Sequence, residues 1–389
     1  MRKNVEFFPE LAGIRALAAL VVVFYHLMQE VPSLSGSANL TLRWMSVAVT
    51  HDYITVDVFF VLSGFLITAL LLRDQRKPYF FHNFYWRRVL RIVPVFFLAL
   101  GLFWWVVPNS GWYIVLCLLL VANFSIRLGA PMASPIWTLC IEEQFYFFWP
   151  QIVRRCKPRT IAWVAFWLTV FSTVLRPLVQ VFHHGVINRL YTPYRLDGLG
   201  LGAMAACFYM APDELGEKMT RIVKALGSRV LLTLAIVAFL VLPSFPALVY
   251  QETISISLTS YLTFRFIYSV MRGRKFRFLT VTPLLFLASI SYGIYMYHSF
   301  VMHYFDVRYG VPDVQRPWAF AGRGLLIFAI TIAASTVSLY LIEKPAQHLR
   351  PLVLKRPANM HEAVVTQIHP EETGSDQINT GSRRSSVIS

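Results

Sequence analysis

Two ionisable residues, Arg15 and His26, interrupt the apolar run from Leu11 to Met28. A helix of that length crosses a bilayer. At about 100° per residue, both side chains lie on one helical face, about 16 Å apart along the axis. A charge inside hydrocarbon is costly, so such residues face protein or internal water and mark functional sites. Imidazole titrates near neutrality, which suits it to take a proton from a hydroxyl. A lone histidine also serves, more commonly, as a hydrogen-bonded packing residue. A guanidinium on the same face can bind phosphate, orient a carboxylate or stabilise developing negative charge.

Other apolar runs carry chemistry of the same kind. Asp57 stands at the start of VDVFFVLSGFLIT. There it either charge-pairs an imidazole across a bundle or is a carboxylate favoured by a helix N-terminus. In the same run, Ser63-Gly64 lets a helix or ligand approach closely, plain packing being the commoner use. Arg88 and Arg91 form R-x-x-R, with both guanidiniums on one helical face. Two such forks suit a phosphate or pyrophosphate. With Arg87 beside them, they also read as anchors at the basic start of a span. PIWTLCIEEQFYFFWP, residues 135–150, sets Glu142 and Glu143 side by side. Helical spacing puts Glu142, Tyr146 and Trp149 on one stripe and turns Glu143 about 100° away. A buried carboxylate needs a partner or a proton, and Arg15 and His26 are candidate partners. SISYGIYMYHSF adds Tyr295 and His298, and RLDGLGLGA combines Arg195 and Asp197 with three glycines. Those glycines suit close helix packing or an unwound turn; the segment lacks the ending of a phosphate loop.

The elements that must position these groups are membrane helices. Hydrophobic residues make up 56% of the chain, charged residues 14%, and mean hydropathy is +0.54, which excludes an ordinary soluble domain. The apolar runs are continuous rather than alternating, which excludes a barrel. The expected fold is therefore an all-α, polytopic transmembrane bundle. Candidate spans are about 11–29, 53–72, 92–108, 137–152, 161–177, 196–211, 230–244, 247–270, 284–304 and 318–342.

The formal charge of +16 comes from basic residues in alternate short loops, 73–91, 154–159, the stretch around Lys218, Arg221 and Lys224, and 272–277. That pattern reports orientation, not nucleic-acid binding. It predicts both termini on the cytoplasmic face of a cell inner membrane. Loops 30–51, 243–246 and 305–317, poor in Lys and Arg, then lie outside. The assignments agree only if 112–126 is a re-entrant or shallow helix. The first span is expected to be retained, not cleaved as a leader. Residues 1–350 form the membrane domain, and 351–389 read as a polar, disordered cytoplasmic tail. Cys117, Cys140, Cys156 and Cys207 show neither disulfide nor zinc spacing, and no metal is expected.

Seven segments in this order resemble the acyltransferase 3 family of membrane-bound O-acyltransferases acting on cell-surface glycans. They are ELAGIRALAALVVVFYH, VDVFFVLSGFLIT, RRVLRIVP, PIWTLCIEEQFYFFWP, RLDGLGLGA, SYGIYMYHSF and EKPAQ, between residues 10 and 347. The resemblance implies acetyl-CoA or another acyl-CoA as donor on the cytoplasmic side. It implies a hydroxyl acceptor on a glycan or lipid-linked sugar. By position it makes Arg15, His26, Arg88 and Arg91 functional, with Asp57, Glu142 and Glu143 in support. Ala12 stands where an acidic residue is common, Thr138 and Cys140 replace common serines, and Tyr297 replaces a common Trp. These departures bear on the acceptor more than on the reaction class. The competing reading is a transporter or channel whose intramembrane His, Asp and Glu form a relay; it predicts internal repeats, and none is visible.

Overall fold

The computed structural model describes residues 8–29, 53–130, 135–183, 190–241, 253–310 and 317–355, and these are helices joined by short turns, without strands. In chain order the long helices are α1 (Pro9–Gln29), α2 (Tyr53–Asp74) and α3 (Phe80–Val106), followed by the short α4 (Gly111–Leu118). Then come α5 (Ile136–Arg155), α6 (Pro158–His183), α7 (Leu196–Met210), α8 (Glu217–Leu226) and α9 (Arg229–Val241). The chain continues through α10 (Ser255–Met271), α11 (Thr282–Tyr309) and α12 (Pro317–Ser338). A π-helical stretch, Leu339–Glu343, leads into α13 (Lys344–His348) and α14 (Arg350–Val353). Proline at or next to the first position starts α1, α6, α11 and α12, where its missing N–H costs nothing.

Every predicted span is helical where it is described. Among the described residues, six helices are long and apolar enough to cross a membrane, or seven if α8 and α9, bent by 45°, form one span. The expected count of ten is therefore not reached on length and composition. Helix α5 carries Glu142, Glu143, Arg154 and Arg155, while α7 and α10 have only 15 and 17 residues. The tail from residue 356, loop 30–51, loop 243–246, residues 311–316 of loop 305–317, and the first part of the 247–270 span lie outside the described residues.

The stretch 112–126 holds no helix long enough to cross. Helix α4 has eight residues, ~12 Å of rise against a ~30 Å hydrocarbon core. Leu120, at φ 57°, ends it in the left-handed region, and the Val121 N–H bonds back to the Leu116 carbonyl at 2.9 Å. Gln144 of α5 donates to the Leu120 carbonyl at 2.7 Å, which ties this turn to α5.

The predicted start of the third span is corrected. Helix α3 begins at Phe80, not near residue 92, because Phe80 and Phe84 bury an aromatic face that the surrounding charges conceal. Arg88 and Arg91 consequently lie about two and three turns inside the helix, ~12 to 16 Å from its start.

Helix α2 packs on α7, α7 on α6, α1 on α11, and α11 on α12. The α2–α7 contact is backbone to backbone. A Cβ on Gly64 would meet the Leu199 carbonyl oxygen at 2.1 Å, and one on Gly202 would meet that of Val61 at 2.0 Å. The basic loops converge on one end. Gln75 donates to the Cys156 carbonyl at 2.8 Å, Arg159 borders Gly216, and Leu279 touches Gly13 near the start of α1.

Candidate active site

Helix α1 is unbroken from Pro9 to Gln29, so the eleven-residue step from Arg15 to His26 holds as a ~16 Å rise on one face. Arg15 opens into a central cavity of about 140 Å³ bounded by α1, α2, α3, α5 and α11. Beside Arg15, each of the other four helices offers residues three or four apart: Phe59 and Ser63 from α2, Arg88 and Arg91 from α3, Thr138, Glu142 and Tyr146 from α5, Ser291 and Tyr295 from α11. One helical stripe per element is what a converging bundle presents to a shared space.

Three guanidiniums thus face one void, with Glu142 the only carboxylate among its lining residues. Glu142 accepts from Ser63 at 2.7 Å and from Tyr146 at 3.1 Å. The i, i+4 stripe read from the sequence therefore becomes a hydrogen-bonded pair, and Ser63 does more than pack. Arg88 lies 4.5 Å over the Tyr146 ring. Arg15 donates to the Ala288 carbonyl at 3.1 Å and has Arg91 and Glu142 as charged neighbours. No ion pair engages Arg15, Arg88 or Arg91 among the described residues. Glu143 points away from the cavity, near Arg88, with one enclosed oxygen unbonded.

The other end of the α1 face is different chemistry. His26 Nδ1 lies 2.8 Å from the Val22 carbonyl. A carbonyl only accepts, so Nδ1 carries the proton and Nε2 is left as a lone pair. The His298 ring of α11 stands 5.0 Å away, centroid to centroid, and Tyr295 stands 6.0 Å from His298. The Tyr295 hydroxyl shares a 2.8 Å hydrogen bond with Thr138 at the cavity wall. Tyr295 thus stands between the cavity and the histidines.

Asp57 has a different partner from the imidazole considered for it. It accepts from Arg195 at 2.8 Å, and both are 1% exposed. Arg176 of α6 reaches Asp197 at 2.7 Å in the same buried cluster, and it also donates to Ser257 and to the Tyr194 carbonyl. None of these four charged residues lines the cavity. Sequence reading missed Arg176, whose only signal was an Arg in an apolar run next to Pro177. It also missed Glu343. That residue ends the π-helical stretch, 5% exposed, with Arg91 as its charged neighbour. The motif EKPAQ held the signal, but its place at the end of the last apolar run resembled a membrane boundary. π-Helical insertions are frequent at functional sites.

Arg87, adjacent in sequence to Arg88, points elsewhere. It pairs with Asp74 at 2.9 Å, a carboxylate also held by Arg73 and Lys77. Anchor and site therefore divide between neighbours: Arg87 ties the α2–α3 turn, while Arg88 and Arg91 face the void.

A multi-pass helical membrane protein with a cation-lined internal cavity is the class this geometry defines. Residues 8–340 match the acyltransferase domain model Acyl_transf_3, and the chain belongs to the acyltransferase 3 family. "Putative O-acetyltransferase SACOL0978" of Staphylococcus aureus strain COL is 28% identical over 343 residues, 78% of this chain and 52% of that protein. O-acetyltransferase OatA of Staphylococcus aureus strain NCTC 8325 / PS 47 is 27% identical over 333 residues, 75% of this chain and 50% of that protein. The chain spans about half the length of these curated relatives. No solved structure matches it.

Proposed function

We propose that this protein moves an acyl group, acetyl first among candidates, from acyl-CoA to a hydroxyl of a sugar in a cell-surface or exported glycan. The observation that carries this reading is the cavity in which Arg15, Arg88 and Arg91 outnumber Glu142. An excess of unpaired guanidiniums around a void suits an anionic, phosphate-bearing donor. The family match and the names of its relatives support the reaction class. The donor enters from the end where the basic loops gather, taken as cytoplasmic by the positive-inside pattern.

Acyl transfer from a thioester to a hydroxyl needs donor anchoring, a base, and stabilisation of the oxyanion. Arg88 and Arg91 anchor the donor. Arg15, next to Glu142, stands between the anchoring pair and the histidine end. His26 offers the Nε2 lone pair as base or transient acyl carrier, its ring held by the Val22 carbonyl. The cavity is far smaller than the ~300–1,000 Å³ of sites for whole drug-sized ligands. It suits the reactive end of the donor and a short acyl group rather than a complete cofactor.

Purified protein given labelled acetyl-CoA and a glycan acceptor is expected to release CoA and label the acceptor. His26→Ala is expected to abolish both while the protein still accumulates in the membrane. Turnover retained in His26→Ala removes His26 from the chemistry. Ion flux in liposomes without CoA release from the wild type returns the site to a relay. Loss of an O-acyl group from the surface glycans of a deletion strain identifies the acceptor.

A further inference from the structure

We infer that His298 is a positioning residue for His26, sharing the proton that His26 takes from the acceptor hydroxyl; this rests on the acyl-transfer reading. His298 lies on α11, fully buried, its Nδ1 3.0 Å from the Ile294 carbonyl. The arrangement repeats that of His26 with Val22, each ring bonding a carbonyl four residues earlier on its own helix. In both rings Nδ1 therefore carries a proton, and in the neutral form of each Nε2 is a bare acceptor turned away from its own backbone.

The two rings stand 5.0 Å apart at 55°. Two neutral imidazoles of this tautomer have two acceptors and no proton between them. His298 Nε2 is enclosed and has no hydrogen-bond partner. An orphaned buried acceptor is costly. A histidine kept only for packing would be expected to have both nitrogens satisfied or replaced by carbon. One added proton changes the deficit: protonated His26 becomes a donor at Nε2, and the facing His298 ring, 5.0 Å away between centroids, carries the unsatisfied acceptor that a small rotation of either ring would bring to it. The pair is thus better satisfied with one proton than with none, which is the state the reaction passes through.

The step balances. The acceptor O–H gives its proton to His26 Nε2, and its oxygen forms the new C–O bond to the thioester carbonyl. The C–S bond breaks, the thiolate leaves, and it takes the proton from the imidazolium. Both rings return to neutral. His298 touches neither donor nor acceptor; it holds the imidazolium for the interval.

The full chain in lipid nanodiscs, assayed with acetyl-CoA, tests this through His298→Phe and His298→Gln. His298→Phe should lower kcat roughly 100-fold, with KM for acetyl-CoA within about threefold of wild type. His298→Gln retains a side-chain acceptor and should recover about tenfold of that loss. Unchanged kcat in His298→Phe overturns the inference, as does an equal fall in both variants with a lowered melting temperature. Side-chain ¹⁵N NMR of histidine-labelled wild type and His298→Gln gives a readout independent of turnover. The His26 Nε2 resonance should move; an unmoved resonance overturns the coupling. Absence of CoA release from the wild type overturns the acyl-transfer reading instead, and the NMR comparison still decides the histidine pair.

Discussion

Two constellations of buried charge sit on neighbouring parts of α2, and they differ in balance. At Asp57, two carboxylates face two guanidiniums, Arg195 and Arg176, and none of the four lines the cavity. Around Ser63, six residues further, three guanidiniums face one carboxylate across open space. Six residues of helix separate the two by ~9 Å along the axis and about 120° round it. Burying charge is costly unless it is paired. The first cluster meets that condition within the chain and ties α2, α6 and α7 together. The second has no ion pair among the described residues, although Glu143 and Glu343 are charged neighbours of Arg88 and Arg91, and its open space leaves room for the anion proposed above. Balance around a void, rather than burial alone, separates the structural charges from the candidate site.

The most severe test of this division is Arg176→Leu. Removing one member of a buried ion pair leaves the other uncompensated, at about 3–5 kcal/mol. Folded yield and melting temperature should fall sharply. A variant that folds normally but shows a raised KM for acyl-CoA would place the balanced cluster within the site and end the comparison. Asp57→Asn sharpens it, since the amide oxygen can still accept from Arg195. Activity lost at full folded yield would give Asp57 the chemical role that its position in the family motif suggests.

Next in size is Gly202→Ala. The added Cβ would lie 2.0 Å from the Val61 carbonyl oxygen and 2.7 Å from the Phe65 nitrogen, both backbone atoms. Helix α7 must retreat, and overpacking of this kind costs about 1–3 kcal/mol. Because α2 carries Asp57 on one face and Ser63 on another, the displacement should lower thermal stability and kcat together. Lowered stability with kcat unchanged would show that the cavity tolerates movement of α2.

Much of this was legible in the chain. Arg15 and His26 could be placed on one face because α1 is an uninterrupted helix, and 112–126 could be set apart from the long spans from loop charge alone. Other features were hidden for physical reasons. The start of α3 carries Arg87, Arg88 and Arg91 among aromatics, and hydropathy counts the charges rather than the buried stripe of Phe80 and Phe84. Arg176 finds its partner on the next helix, and no spacing rule links the two residues. His298 is unremarkable until α11 is laid against α1. Glu343 enters the bundle only because the backbone is wound as a π-helix at Leu339–Glu343. Local periodicity reports which face a residue occupies; which face of which other helix it meets is decided by packing.

On the unbalanced side, Arg88→Ala and Arg91→Ala should each raise KM for acyl-CoA about tenfold, equivalent to ~1.4 kcal/mol of binding. KM for the acceptor should stay unchanged in both. Each variant also removes the charged neighbour of an enclosed carboxylate, Glu143 for Arg88 and Glu343 for Arg91, so both should lower stability as well. Equal effects on donor and acceptor would mean that the arginines hold the shape of the cavity rather than the donor.

The smallest effect is expected one residue away, at Arg87→Ala. Asp74 keeps Arg73 at 2.9 Å and Lys77 at 2.7 Å when Arg87 is removed. The lost pair is partly exposed, and pairs of that kind contribute less than about 1 kcal/mol. Melting temperature should shift by only a few degrees, and KM for acyl-CoA should stay within about twofold of wild type. Arg87 and Arg88 have the same charge and lie side by side in the chain. A difference between their alanine variants can come only from which side of α3 each faces. If Arg87→Ala raises KM as much as Arg88→Ala does, the basic segment acts as a diffuse positive field, and the cavity loses its claim to be the donor site.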